Sequence, residues 1–194
     1  MHKNVENAEL NSTQCYMLAY QTCQWWNAVF VQAKRFLDVL NEEHDGTPWD
    51  AVENANSMFV AERMFFILAV HHAIEYLQKL NIEMQREGDM TFQSVLDDME
   101  AVVSLEAIKN LRDMNEHGLD YLANKGYKQA QYRSSVDKNG HKIPTTAAWT
   151  QVRGDVDAIL LGNVEIDKLI RKMKELLPIV QEKTKEVFER KMAE

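Results

Sequence analysis

Met64-Phe65-Phe66-Ile67-Leu68-Ala69-Val70 is apolar on every side of any helix it could form. A surface helix keeps a polar stripe, so a helix apolar nearly all round belongs in the middle of a bundle. The run stops at His71-His72 and, counted to Ala73, is about half the length that a membrane span needs. It therefore predicts a central helix packed by protein, not lipid. Upstream, Thr47 reads as an N-cap, Pro48 as the first helical residue and Asp50 as an acidic first-turn residue. The periodicity carries this helix to about Leu80.

The neighbours read the same way. Asn11 to Leu40 holds Met17, Leu18, Trp25, Val29, Phe36 and Leu40 at helical spacing, with neither glycine nor proline. Gly88-Asp89 breaks the chain, and Thr91 opens a short third helix ending near Ala101. Ser104 caps a fourth, expected to reach Asn124 before Lys125-Gly126, with Leu105, Ile108, Leu111, Leu119 and Leu122 as its buried stripe. The last begins near Asn163 and shows Ile166, Leu169, Ile170, Met173, Leu176, Leu177 and Val180. A kink is expected at Pro178, and a frayed, charged end from Gln181. Residues 127–153 lack a helical stripe. Asn139-Gly140 between Val136 and Ile143 signals a hairpin, with Pro144 on an edge strand; a long loop is the alternative. The expected fold is an all-α bundle of four to five helices in one domain, residues 1–194, with this hairpin or loop inserted before the last helix.

The 194 residues are 45% hydrophobic and 27% charged, as in a globular protein. No basic-then-apolar leader opens the chain, and Cys15 and Cys23 lie roughly 12 Å apart along one helix, too far to pair. Both features point to a reducing cytoplasm. The net charge of −8 hides an asymmetry. Between Tyr121 and Gly154 stand Lys125, Lys128, Arg133, Lys138, Lys142 and Arg153 against Asp137 alone, with Tyr127, Tyr132 and Trp149 among them. Cations interleaved with aromatic rings suit single-stranded nucleic acid. The ordinary reading is a solvated hairpin whose lysines keep an edge strand from pairing with other chains.

Just before that segment comes Arg112-Asp113-Met114-Asn115-Glu116-His117. Arginine offers phosphate a planar fork of donors, and histidine moves protons near pH 7. Together they suffice to cut RNA without a metal if geometry allows. The bare spacing arises often by chance. Its helical setting, the acidic residue after the arginine and the Asp120-Tyr121 pair narrow it. The plain alternative makes Arg112 a surface arginine and His117 a satisfied histidine at a helix contact. A metal site at His71, His72 and Glu75 is weaker, since no Glu-x-x-His occurs and adjacent histidines point about 100° apart. Gly-rich phosphate loops, Gly-x-Ser-x-Gly and Cys-x-x-Cys are all missing from the sequence.

An all-α bundle whose late helix carries Arg-polar-x3-His resembles the HEPN domains of prokaryotic defence and toxin–antitoxin systems. The resemblance rests on Arg112, Asp113, His117 and Asp120-Tyr121, and on Ala69-Val70-His71-His72-Ala73-Ile74-Glu75-Tyr76-Leu77 in the preceding long helix. It covers about residues 10–125. Asp113 stands where many members have Asn, and Tyr121 follows His117 by four residues, not two. The resemblance implies a metal-independent endoribonuclease working without cofactor, as a homodimer, with RNA as substrate and a cognate antitoxin protein as a further partner. Arg112 and His117 would be catalytic with Asp113 orienting them, and Lys125, Lys128, Tyr132 and Arg133 would hold substrate. A HEPN-like RNA- or protein-binding module without turnover is the alternative.

Overall fold

A computed structural model describes residues 9–41, 48–117, 125, 135–136, 142–143, 150–153, 158–161 and 164–194. For residues 40–41, 48–57 and 59, and for the strands before residue 164, it describes the backbone alone. Among the described residues five helices appear: α1 (Ser12–Asn41), α2 (Pro48–Arg86), α3 (Thr91–Glu100), α4 (Leu105–Glu116) and α5 (Ile166–Ala193). The all-α reading holds. Five short strands, far below a fifth of the described residues, lie between α4 and α5.

α1 starts where its first residues cap each other. Asn11 Oδ1 accepts from the Gln14 amide at 2.9 Å while Gln14 Oε1 accepts from the Asn11 amide at 3.0 Å, a reciprocal cap that satisfies two otherwise orphaned donors. α2 runs past the expected Leu80 because Leu77, Leu80 and Met84 continue its buried stripe, each wholly enclosed. It ends at Gly88, whose φ of +82° is a left-handed conformation that glycine adopts without strain. There the Gly88 amide donates to the Gln85 carbonyl and the Asp89 amide to the Met84 carbonyl, 3.0 and 2.9 Å, closing the helix end.

α1, α2 and α5 form the body of the bundle, α3 lies against α2 and α5, and α4 packs on α2. Phe36 and Phe66 stack in the core with centroids 5.6 Å apart. Trp26, fully buried on α1, donates its indole N–H to the Met173 carbonyl of α5 at 3.1 Å. That carbonyl adjoins Lys174, whose own helical acceptor Pro178 leaves unmatched for want of an N–H. α5 nonetheless continues through Pro178.

Four expectations need correction. Thr91 is not a cap: the N-cap is Met90, and the Thr91 amide donates instead to Asp89 Oδ1 at 2.9 Å. α4 closes at Glu116, short of the expected Asn124; Leu119 and Leu122 lie outside the described residues. α5 begins at Ile166. Its charged end does not fray: Thr184 and Val187 are buried, Lys183 reaches Asp89 at 2.7 Å, and Arg190 and Lys191 both reach Glu87 at 2.6 Å. The hairpin falls where Asn139-Gly140 points, with β1 (Ser135–Val136) antiparallel to β2 (Lys142–Ile143), Val136 opposite Lys142. A second sheet was not anticipated: β3 (Thr150–Arg153), β4 (Ala158–Leu161) and β5 (Val164–Glu165) are antiparallel in that order.

Asp89 ties three helix ends together, and its charge carries a pH dependence. Partial burial would raise its carboxyl. The Lys183 ammonium and the Thr91 amide outweigh that and hold it at about 2 against an ordinary 3.8. A carboxyl depressed in the folded state adds stability above its unfolded value and loses it as pH falls through the folded one. The contribution here is roughly 2 kcal/mol, present above about pH 4 and gone near pH 2. Asp89→Asn should therefore lower the melting temperature at pH 6 and show a shallower further decline between pH 4 and pH 2 than the parent. Equal slopes for both proteins would rule this carboxyl out as the source.

Candidate functional site

α4 is fixed at its start and along one face. Ser104 Oγ accepts from the Ala107 amide at 3.3 Å, and Glu100 Oε2 accepts from the Leu105 amide at 2.7 Å. Ile108, Leu111 and Met114 turn inward with Asn110. This stripe sets the azimuth of the motif. Arg112 leaves the helix beside Ile108 at one border of the buried face, and His117 leaves it at the other, about 140° away. His117 is the C-cap; its amide donates to the Asp113 carbonyl at 3.0 Å and its side chain is exposed.

Arg112 is 33% exposed and engaged on its own helix. Nη1 donates to Asp113 Oδ1 at 2.9 Å. Nε lies 3.0 Å from Glu116 Oε1, yet its N–H is not aimed at that oxygen, so this buried donor makes no hydrogen bond. The Asp113 hydrogen bond, with Glu116 and Glu75 adding negative charge, pushes the guanidinium above its usual value and keeps it cationic.

The Arg112 flank faces α2, and there the structure adds residues that the motif does not contain. His71 Nε2 stands 3.8 Å and His72 Nδ1 3.4 Å from Glu75 Oε2, while Lys79 donates to Glu75 Oε1 at 3.1 Å. Burial would raise Glu75, but hydrogen bonds from Lys79 and His72 hold its carboxyl below the ordinary value. Burial depresses His71 below its usual 6.5; the Arg112 and His72 charges add to this, and Glu75 and Asp113 oppose it. Trp25 lies on His72 with centroids 4.6 Å apart, and Tyr76 meets the same ring edge-on at 6.2 Å. Trp25 is thus occupied within its own chain, while Trp26 is core.

Among the described residues, no three histidine, cysteine, aspartate or glutamate side chains gather as a metal would require, His71, His72 and Glu75 included. Of the expected substrate-binding residues, Lys125 is exposed. Lys128, Tyr132 and Arg133, like Asp120 and Tyr121, lie outside the described residues. From the sequence, His71 and Glu75 fall in the stretch that carries the resemblance and, with His72, offer a weak metal set; the ordinary reading makes one histidine a satisfied polar group in the bundle and the other a surface or dimer-face residue. The four-residue spacing of His71 and Glu75 was a visible signal of a shared helix face, but their nearness to Arg112 depends on how α2 packs against α4. No helix among the described residues is long and apolar enough to cross a membrane. No protein-family model, curated protein or solved structure matches the chain.

Proposed function

We propose that this protein is a metal-independent endoribonuclease of HEPN type, a candidate cytoplasmic toxin or phage-defence factor that works as a homodimer and is held in check by a cognate antitoxin protein. One observation carries the reading: Arg112 and His117 both reach solvent from α4, Arg112 one-third exposed and His117 exposed, where a purely structural pair would be enclosed. The exposed basic Lys125 just beyond them adds to it.

The chemistry needs little more. RNA brings its own nucleophile. Loss of the 2′-hydroxyl proton to a base lets O2′ bond to the adjacent phosphorus. The P–O5′ bond then breaks, and an acid protonates O5′. The products are a 2′,3′-cyclic phosphate and a 5′-hydroxyl, with no net proton gained or lost. A histidine serves as base or acid, and an arginine steadies the extra negative charge of the phosphorane. Asp113 and Glu116 do not block that role. Part-exposed ion pairs are worth up to about 1 kcal/mol each, whereas a phosphorane accepting two N–H bonds from one guanidinium binds more strongly.

The same two carboxylates favour a second reading, a HEPN-like RNA- or protein-binding module without turnover, because they offset the cation that cleavage would use. Incubating the purified protein with total RNA in EDTA separates the two. Fragments ending in 2′,3′-cyclic phosphate, and none from a 2′-deoxy oligonucleotide, are expected. Intact RNA that is nonetheless bound would favour the second reading, and cutting that stops in EDTA would require a metal.

A further inference from the structure

Leu10 to Ala33 contains no charged residue and no histidine, 24 positions in succession in a chain that is 27% charged. Most of this run is α1, and α1 is not a buried helix. Met17, Tyr20 and Val31 are 43%, 50% and 59% exposed, and Gln24 between them is exposed as well. With the half-buried Ala28 they fall within about 80° of one another around the helix, in one stripe about 21 Å long. The solvent face of α5 shows what this bundle ordinarily presents: Lys168, Arg171, Glu175, Glu182, Lys185 and Glu189 are all exposed there. A surface helix keeps charge toward water, whereas the centre of a protein interface is depleted of charge and enriched in Tyr and Met. Charge returns just past the stripe, where Lys34, Arg35 and Asp38 are exposed. An uncharged centre with a charged rim is the anatomy of a docking surface.

We propose that a second copy of this chain docks on the stripe, as an antiparallel helix pair whose two-fold axis passes through Gln24. Charge and spacing select the occupant. Each chain carries −8, so two copies repel wherever their charged faces meet and approach with least repulsion on the face without charge. Nucleic acid gains nothing from a surface that offers its phosphates no cation. The spacing is self-complementary. With the axis at Gln24, Met17 meets Val31 of the partner subunit, Tyr20 meets Ala28 of the partner subunit, and Gln24 meets its own copy, amide to amide. A ring then lies opposite a methyl group, and a thioether opposite an isopropyl group. A face of this size belongs with the small interfaces, below about 1,200 Å² in total, so the pair forms and exchanges at micromolar concentration. This rests on the homodimer of the reading above and gives it a surface. None of the five residues belongs to α4, so the chemistry of cleavage is no part of it.

Sedimentation velocity of the full-length protein between about 1 and 100 µM should show the 22.5 kDa chain giving way to a species of twice that mass. Added salt should not dissociate it, because no ion pair holds the stripe. Gln24→Glu sets two carboxylates against each other on the axis and should weaken the dimer about tenfold or more. Gln24 is exposed in the single chain, so the helix content by circular dichroism should stay that of the parent. Gln24→Lys should weaken the dimer in the same way. An equimolar mixture of the two variants should dimerise again, a rescue expected where position 24 faces its own copy. Met90→Glu, at a comparably exposed apolar residue before α3, should leave the dimer as it is. A parent that stays a monomer throughout overturns this inference together with the homodimer above, while cleavage is still judged by the EDTA assay. A dimeric parent whose Gln24→Glu and Val31→Glu forms associate equally well overturns this inference alone and puts the dimer on another face. A mixture of the Gln24→Glu and Gln24→Lys proteins that stays monomeric overturns the crossing at Gln24.

Discussion

Trp26→Ala should lower the folding free energy by about 4 kcal/mol, within the range for removing a buried tryptophan. In a chain of this size that is a fall in melting temperature of roughly 10 °C or more. Two losses combine. The indole is wholly enclosed between α1 and α5, so its removal leaves a void that the surrounding side chains only partly fill. Its N–H also satisfies the Met173 carbonyl, one residue from the carbonyl that Pro178 leaves without a helical donor. Trp26→Phe separates the two. It keeps most of the apolar volume and forfeits the hydrogen bond, for about 1–2 kcal/mol. Trp25→Ala is the control. It loses only half-buried ring contacts to His72 and Tyr76, about 1 kcal/mol. Circular-dichroism melts rank the three, and a Trp26→Ala protein as stable as Trp25→Ala would show that Trp26 does not join α1 to α5.

Where local signals agree with tertiary demand, the fold was readable. α1 is bounded within a residue of expectation because Asn11 and Gln14 cap it and apolar spacing runs unbroken to its end. The end of α5 was misread because its buried stripe there is Val180, Thr184 and Val187 among many charges. A threonine that satisfies its hydroxyl on the Val180 carbonyl at 2.7 Å acts as an apolar residue without looking like one. The ion pairs to Glu87 and Asp89 that dock this end come from residues about a hundred positions away. Ala158-Ile159-Leu160-Leu161 has no alternation, and a four-residue apolar run suits strand and helix equally. Only pairing with β3 and β5 decides it. The site follows the same rule. Arg112 and His117 announce themselves by spacing, whereas the meeting of His71 and Glu75 with Arg112 is a property of the α2–α4 contact.

Arg112→Ala should reduce cleavage about 10²- to 10³-fold while leaving the fold intact. The size follows from the role. A preorganised donor on the phosphorane's charge is worth about 3–4 kcal/mol of barrier, and each 1.4 kcal/mol is tenfold. The harmlessness to folding follows from the environment. Arg112 is a third exposed and its partners Asp113 and Glu116 are more exposed still, so losing both pairs costs about 1 kcal/mol. Arg112→Lys should recover little, because an ammonium cannot grip two phosphate oxygens in one plane. His117→Ala should fall by a comparable factor, and the double variant by little more than either alone, since a proton donor and a charge stabiliser serve one transition state. Glu116→Gln should go the other way. It removes a carboxylate that competes with phosphate for the guanidinium, so RNA binding should tighten and cleavage should persist. Single-turnover cleavage in EDTA, with RNA titrations and melting curves alongside, tests all five variants. A doubly substituted Arg112→Ala/His117→Ala protein that cuts as fast as the parent would remove α4 from the chemistry. A tighter-binding Glu116→Gln that still fails to cut would favour the binding module over the enzyme.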